Sequence, residues 1–199
     1  MKIHSVVACD DNWGIAKNGT LPWKLPREYK HFNDFTSACS EKTKKNAVVT
    51  GRSNWKSRAP DGSTLPLANR HNFILSTSMK TTPEGSDGVA GSLKEFIDLV
   101  ESDEWSQKIH RVFNIGGSQI YKCIQDSDYC GRCYVTKIKA NFDCDLFICN
   151  LDEDENFRRV ERLTLTSEEW EKIIPVGIQY ENGFEWEVLI YEKIQKSRQ

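Results

Sequence analysis

Apolar positions along the chain fall into short runs separated by stretches whose apolar residues recur at helical spacing. Runs rich in Val, Ile and Phe at 3–8, 47–50, 73–76, 111–115 and 133–138 predict strands, and a longer pair at 157–165 and 184–191 closes the chain. Helical patterns cover 26–39, 53–57, 93–100 and 118–125. The third is the clearest. Leu93, Phe96, Ile97 and Val100 stand at i, i+3, i+4 and i+7, and Ser92 with Glu95 makes a capping box ahead of them. Alternating strands and helices predict an α/β fold with a mainly parallel sheet. Glu181-Asn182-Gly183 reads as the turn of a terminal antiparallel hairpin, so the sheet should be mixed. No repeat or low-complexity linker divides the chain, and one domain with two lobes is expected over 1–199.

One position breaks the pattern. Glu28, Phe32 and Phe35 share a face of the first helix, so a carboxylate lies on an apolar stripe. Such an acid is costly without a partner. The partner expected is a ligand that is cationic or rich in hydrogen-bond donors. The segment leading to it, from Trp13 to Phe32, has glycines for a close loop and Pro22-Trp23 for a rigid corner.

Composition narrows the function classes. Lys plus Arg is 27 and Asp plus Glu is 29, a net charge of -2, which gives no argument for nucleic acid as the main partner. No uncharged apolar run is long enough to span a membrane, and the N-terminus is polar again by Asp10, so a cytoplasmic protein is expected. No exposed heptad suggests assembly, and a monomer is expected. The seven cysteines are expected to be reduced. Cys130 and Cys133 form a CxxC, open to a redox role, but a zinc ribbon needs a second such pair, and Cys144 and Cys149 have the wrong spacing. No metal is expected. The acidic run at 151–156 reads as a solvated loop.

Two strand ends run through glycine into a helix, at Val49-Thr50-Gly51-Arg52-Ser53-Asn54-Trp55 and at Ile115-Gly116-Gly117-Ser118-Gln119-Ile120-Tyr121. Glycine permits close backbone approach, and a helix N-terminus offers unpaired N–H groups to an anion; Ser118 is a natural N-cap. Either turn alone is ordinary α/β chemistry, while two in one small domain suit a dinucleotide. The Gly-x-Gly-x-x-Gly fingerprint is absent, so this is not an ordinary Rossmann domain. Arg52 with Ser76-Thr77-Ser78 suits a phosphate monoester, or else is a surface Arg with turn hydroxyls.

Taken together these residues resemble the dihydrofolate reductase family. The resemblance is carried by Ala8, Trp13-Gly14-Ile15, Asn18-Gly19, Leu21-Pro22-Trp23, Glu28, Phe32, Gly51-Arg52, Trp55, Pro66-Leu67-x-x-Arg70, Ser76, Ile115-Gly116-Gly117-Ser118, Tyr121, Thr136 and Asp145, in order from the first strand to about Glu192. It implies a mixed, mostly parallel sheet of about eight strands flanked by helices. It also implies NADPH-dependent reduction of 7,8-dihydrofolate to 5,6,7,8-tetrahydrofolate in support of one-carbon metabolism, with antifolates as inhibitors.

By the same resemblance Glu28 binds the pteridine, Thr136 orients its carboxylate, Trp23 holds an ordered water, and Leu21 completes the catalytic set. Val6, Val7, Leu21, Tyr29, Phe32, Leu67, Ile115 and Tyr121 line the folate cleft, and Arg70 pairs with the α-carboxylate of the glutamate tail. Ala8, Ile15, Lys17, Asn18, Gly19 and Thr20 face the nicotinamide. Gly51, Arg52, Ser53 and Asn54 hold the pyrophosphate and 2′-phosphate region, and Ser76, Thr77 and Ser78 border the adenine ribose. Gly116, Gly117, Ser118, Gln119 and Ile120 wrap the pyrophosphate and nicotinamide ribose, with a cis peptide expected between the glycines. Four positions depart from the family's habit: Ala16, Asn54, Arg58 and Thr77. Two rival readings are a pteridine or pyrimidine reductase on the same fold, which would not be expected to keep Leu-Pro-Trp, Glu28 and Arg70 together, and a non-catalytic binding module, against which Glu28, Thr136 and both glycine turns argue.

Overall fold

Near-continuous β-branched and aromatic runs become central strands because helices cover the sheet on both faces. The computed structural model describes residues 1–56, 65–161 and 169–194, with backbone alone for 169–170. Its elements are β1 (Ile3–Cys9), β2 (Gly14–Ala16), α1 (Pro26–Ser37), β3 (Lys45–Gly51), α2 (Arg52–Trp55), β4 (Arg70–Leu75), β5 (Gly88–Ala90), α3 (Leu93–Val100), α4 (Asp103–Ser106), β6 (Ile109–Asn114), α5 (Ser118–Asp126), β7 (Cys130–Ile138), β8 (Leu146–Phe147), β9 (Phe157–Arg159), a 3₁₀ turn (Glu169–Ile173), β10 (Gln179–Glu181) and β11 (Phe184–Lys193).

The main sheet runs β10-β11-β7-β1-β6-β3-β4-β5, with β9 also on β11. Pairs from β7 to β5 are parallel; β11 is antiparallel to β7, β9 and β10. This is the expected mixed, mostly parallel sheet. β2 and β8 form a separate antiparallel pair. On one face α1 packs Phe35 against Phe113 and Tyr134, at centroid distances of 5.7 and 4.8 Å. On the other, Phe96, Ile97, Val100 and Ile124 from α3 and α5 close over Ile3, Ala47, Val49, Phe73 and Val112. The carboxyl ends of β1, β3 and β6 stay open between these layers, where ligands bind in such sheets.

Local signals place the ends imperfectly. The first helix stops at Ser37 rather than residue 39 because Ala38 turns extended. The second is a single turn, and Ser57 lies outside the described residues. Arg70 begins β4, three residues earlier than the apolar run suggests. Of the span 157–165 only Phe157–Arg159 is a strand, and 162–165 lie outside the described residues. Ser92 accepts from Glu95 N at 3.1 Å as expected, while the Glu95 carboxylate reaches Gly91 N at 2.7 Å. Gly117, not Ser118, is the N-cap of α5; it is extended, and Ser118 is already helical.

Candidate active site

The corner before α1 is set from two directions. The buried Asp10 carboxylate accepts from Asn12 N at 2.9 Å, Gly14 N at 2.8 Å and Phe142 N at 3.1 Å, which turns β1 into β2. Pro26 opens α1, a position where its missing N–H costs nothing. The donors that follow are taken by a distant side chain: Glu181 accepts from Arg27 N at 2.7 Å and from Glu28 N at 3.3 Å. Asn182 and Gly183, at φ 49° and 83°, make the Asn-Gly turn read from the sequence, and Asn182 Nδ2 donates to Lys24 O at 2.8 Å. The terminal hairpin thus holds the start of the helix that carries Glu28.

Glu28 is buried, 6% exposed. Burial pushes its carboxyl up to about 7, the Thr136 hydrogen bond pulls it down, and the Glu181 charge adds to the rise. Thr136 stands opposite Ala8 across the β1–β7 pair. Trp23 packs on Phe142 at 5.3 Å, and its buried Nε1 has no acceptor among the described residues.

Glu28 edges a cleft of about 270 Å³, whose lining does not include Trp23 or Thr136. The structure brings Glu28, Val6, Val7, Leu21, Tyr29, Phe32, Leu67, Ile115 and Tyr121 to its wall, together with Ala8, Ile15, Gly19, Thr20, Ser53, Asn54, Gly116 and Gly117. Ala16, Leu65 and Leu146 line it as well, and the sequence pattern does not single out the last two. Ala16 is accommodated as a strand residue whose carbonyl accepts from Asp145 N at 3.0 Å. The Lys17–Thr20 bridge closes the loop, and Asp145 accepts from Asn18 N at 2.7 Å.

The glycine turn forms the cleft's far wall. Gly116 O accepts from Gly51 N at 2.8 Å and from the Thr50 hydroxyl at 2.7 Å, and Gly116 N donates to Asn114 Oδ1 at 3.0 Å. Asn54 Nδ2 bonds Thr50 Oγ1 at 2.7 Å and Ile115 O at 3.0 Å, so this departure ties the two strand ends together. Gly116 has φ 100°, and a Cβ there would lie 2.8 Å from Tyr121 Cε2. The Tyr121 hydroxyl donates to Val6 O at 2.8 Å, which fixes that ring. The peptide between the glycines is cis, as expected. A Cβ on Gly117 would meet nothing within 4 Å, and α5 begins there without a side-chain cap. An open helix start beside a bare backbone fits a phosphate-bearing cofactor.

Other expected residues lie outside the cleft wall. Ile120 of α5 packs at Gly51, 3.1 Å from a Cβ built there, and Ser118 and Gln119 form the first turn of α5. Arg52 is exposed and has no ion pair among the described residues. Ser76 and Thr77 line a second hollow of about 460 Å³ with Lys80 and Glu95, and the Ser78 hydroxyl lies 3.3 Å from that of Ser76. Arg58 lies outside the described residues.

Arg70 is 9% exposed. Its guanidinium donates to Ala68 O at 2.9 Å, Thr36 Oγ1 at 2.6 Å and Asn33 Oδ1 at 3.1 Å, with no carboxylate partner among the described residues. Burial lowers its pKa to about 10, so it remains charged at neutral pH. A buried, oriented guanidinium without an acid has the chemistry to receive a carboxylate.

The sequence reading missed Glu181, Asn114 and Thr50 as supports of the site. A buried polar residue at the end of an apolar run was the available signal for Asn114 and Thr50; none existed for Glu181.

A mixed sheet with a cleft at the ends of its parallel strands, a buried acid and a bare glycine turn on its wall, defines an α/β protein whose cleft suits a small molecule beside a dinucleotide. A family model described as "Dihydrofolate reductase" matches residues 2–182. The chain is 35% identical to the dihydrofolate reductase of Sus scrofa over 192 residues, 96% of this chain and 97% of the relative. It is 35% identical to that of Heliothis virescens over 198 residues, 98% of each. The solved dihydrofolate reductase of Schistosoma mansoni superposes with a TM-score of 0.77 at 32% identity, covering 98% of this chain and 99% of that one. The chain belongs to the dihydrofolate reductase family, a family of oxidoreductases. No described helix is long and apolar enough to cross a membrane.

Proposed function

We propose that the chain reduces 7,8-dihydrofolate to 5,6,7,8-tetrahydrofolate with NADPH. The observation that carries this reading is Glu28: a buried acid held near pKa 7, facing a cleft whose opposite wall is the Gly116–Gly117 turn. NADPH supplies the hydride when bound. Gly117 and the first turn of α5 would hold its pyrophosphate, Ala8, Ile15 and Thr20 its nicotinamide end, and Arg52 with Ser76 and Thr77 its 2′-phosphate.

Glu28 accepts from the amino group and adjacent ring nitrogen of the pteridine, and those donors favour its ionised form. Thr136 holds the carboxylate in that orientation. Trp23 Nε1 orients a water that delivers the proton to the reacting nitrogen, while Glu28 polarises the ring. Phe32, Ile115 and Leu21 exclude bulk water and align the rings. Arg70 takes the α-carboxylate of the glutamate tail. The same reading includes antifolates as ligands that offer donors to Glu28, and a cytoplasmic, one-domain monomer.

The test is loss of NADPH absorbance on adding dihydrofolate. Glu28→Gln is expected to slow turnover by about 100-fold or more. Unchanged turnover in that variant overturns the mechanism, and tight NADPH binding without turnover in the wild type favours a binding module.

A further inference from the structure

The 3₁₀ turn ahead of β10 is seated by a charge. Among its described side chains and the residue that follows, Glu171 and Ile174 are buried, at 4% and 2% exposure, while Lys172 and Ile173 are exposed. Three residues per turn put the buried pair on one side. Ile174 N donates to Glu171 O at 3.1 Å, which closes the turn between them. The turn lies against α1, and Ile174 enters the apolar layer of Val6, Phe35, Phe113, Tyr134 and Ile190 that joins α1 to the sheet.

Glu171 is the costly anchor of the two. Its Oε1 accepts from Arg132 Nη1 at 2.8 Å and from the Tyr134 hydroxyl. Its Oε2 is buried and has no hydrogen-bond partner among the described residues. A buried carboxylate with one oxygen unused carries a desolvation penalty that apolar packing of the same volume would not. What the carboxylate adds is direction. Arg132 is itself fixed by the sheet: its Nε donates to Glu192 Oε1 at 2.7 Å and its backbone N to His4 Nδ1 at 3.1 Å. The Tyr134 ring, held at its hydroxyl, meets Phe35 edge-on at a centroid distance of 4.8 Å. Phe35 lies on the stripe of α1 that carries Glu28 and Phe32.

The chain then runs on to Glu181, whose carboxylate accepts from Arg27 N at 2.7 Å and from Glu28 N at 3.3 Å. One segment, 171–181, therefore braces α1 at two levels, through Ile174 in the layer with Phe35 and through Glu181 at the first turn. The same helix presents Glu28, Tyr29 and Phe32 to the cleft. We propose that Glu171 is a positioning residue for this wall: its bonds to Arg132 and Tyr134 fix the seat of the brace on the sheet, and the brace fixes where α1 holds Glu28 and Phe32 against the folate. The Gly116–Gly117 turn takes its bonds from Thr50, Gly51 and Asn114, none of them in the brace, so the cofactor side should not follow. The consequence for dihydrofolate rests on the function proposed above.

Glu171→Gln, Tyr134→Phe and the double variant are compared with the wild type, as full chains, by steady-state kinetics, NADPH titration and the amide resonances of residues 28–36 without ligand. Each single variant should shift those resonances and raise the KM for dihydrofolate by about tenfold, with kcat changed less and the NADPH Kd within about twofold of the wild type. The double variant should lose little beyond Glu171→Gln, because both changes cut the same bond. A role in stability alone would lower the urea midpoint and leave the α1 resonances and the KM in place. Unmoved resonances, an unchanged KM for dihydrofolate, equal losses for dihydrofolate and NADPH, or fully additive losses in the double variant overturn the proposal. Where Glu171→Gln does not fold, Tyr134→Phe, which removes one hydroxyl and keeps the ring, decides it. A wild type that does not turn over dihydrofolate counts against the function proposed above instead, and the resonances then decide the placement of α1 by themselves.

Discussion

Replacing Glu28 by Gln should raise stability while slowing turnover, and the two effects have one cause. The Glu28 carboxyl is raised from 4.5 to about 7, chiefly by burial. The native state therefore binds more protons than the unfolded chain between these values, and stability falls as pH rises through that window. The interval from 4.5 to about 7, at about 1.36 kcal/mol per pH unit, amounts to about 3 kcal/mol. Below pH 4.5 the acid is neutral in both states and costs nothing of this kind. Above pH 7 it is ionised in both, and the native state carries the full cost of a buried charge. Gln keeps the shape without the charge. In the ligand-free protein, Glu28→Gln should therefore match the wild type near pH 4 and exceed it by up to about 3 kcal/mol at pH 8. For a chain of this size that is a rise in Tm of roughly 6–12 °C. Urea unfolding of both proteins across pH 4–8 measures the gap directly. A gap that does not change with pH, or a wild type more stable than the variant at pH 8, refutes the reasoning.

Three further outcomes are expected. Arg70→Lys should weaken dihydrofolate by about 2 kcal/mol, near thirtyfold, and leave a pteridine without the glutamate tail nearly untouched; equal losses in a binding titration reject the carboxylate role. Glu181→Gln removes the charge that faces both the α1 donors and Glu28, so urea unfolding should show a loss of about 1 kcal/mol and the pH dependence of kcat/KM should move to lower pH; an unmoved profile argues against the coupling. The two glycines should separate folding from binding: Gly116→Ala meets the Tyr121 ring at φ 100° and should lower Tm, while Gly117→Ala points into open space and should keep Tm but weaken NADPH, and identical behaviour of the two would contradict the geometry.

Much of the site was legible because its residues sit on strong local signals. The stripe that exposes Glu28 as an outlier is a helical period, the glycine turns follow apolar strands, and the Asn-Gly turn announces the hairpin. Ser92 and Glu95 cap α3 from within five residues of sequence, so their signal is complete locally. Short elements such as β2, β5 and β8 were not legible, because two or three residues carry no period. Ser118 was misread as a cap because residue preference cannot tell the last extended position from the first helical one; the backbone at Gly117 decides it.

What the residue order determines by itself is that one side chain is anomalous, an acid on the stripe of Phe32 and Phe35. What that acid and the other site residues are for depends on partners far along the chain. Glu28 is ionisable near neutrality because the packed fold buries it, with Thr136 of β7 pulling its pKa down and Glu181 of β10 pushing it up, and Arg70 is held by Asn33 and Thr36 of α1. Hydrophobic periodicity is a local property, written within a few turns or strands, whereas the field and hydrogen bonds at a buried group are set by whatever the packed sheet and helices bring within a few ångströms of it.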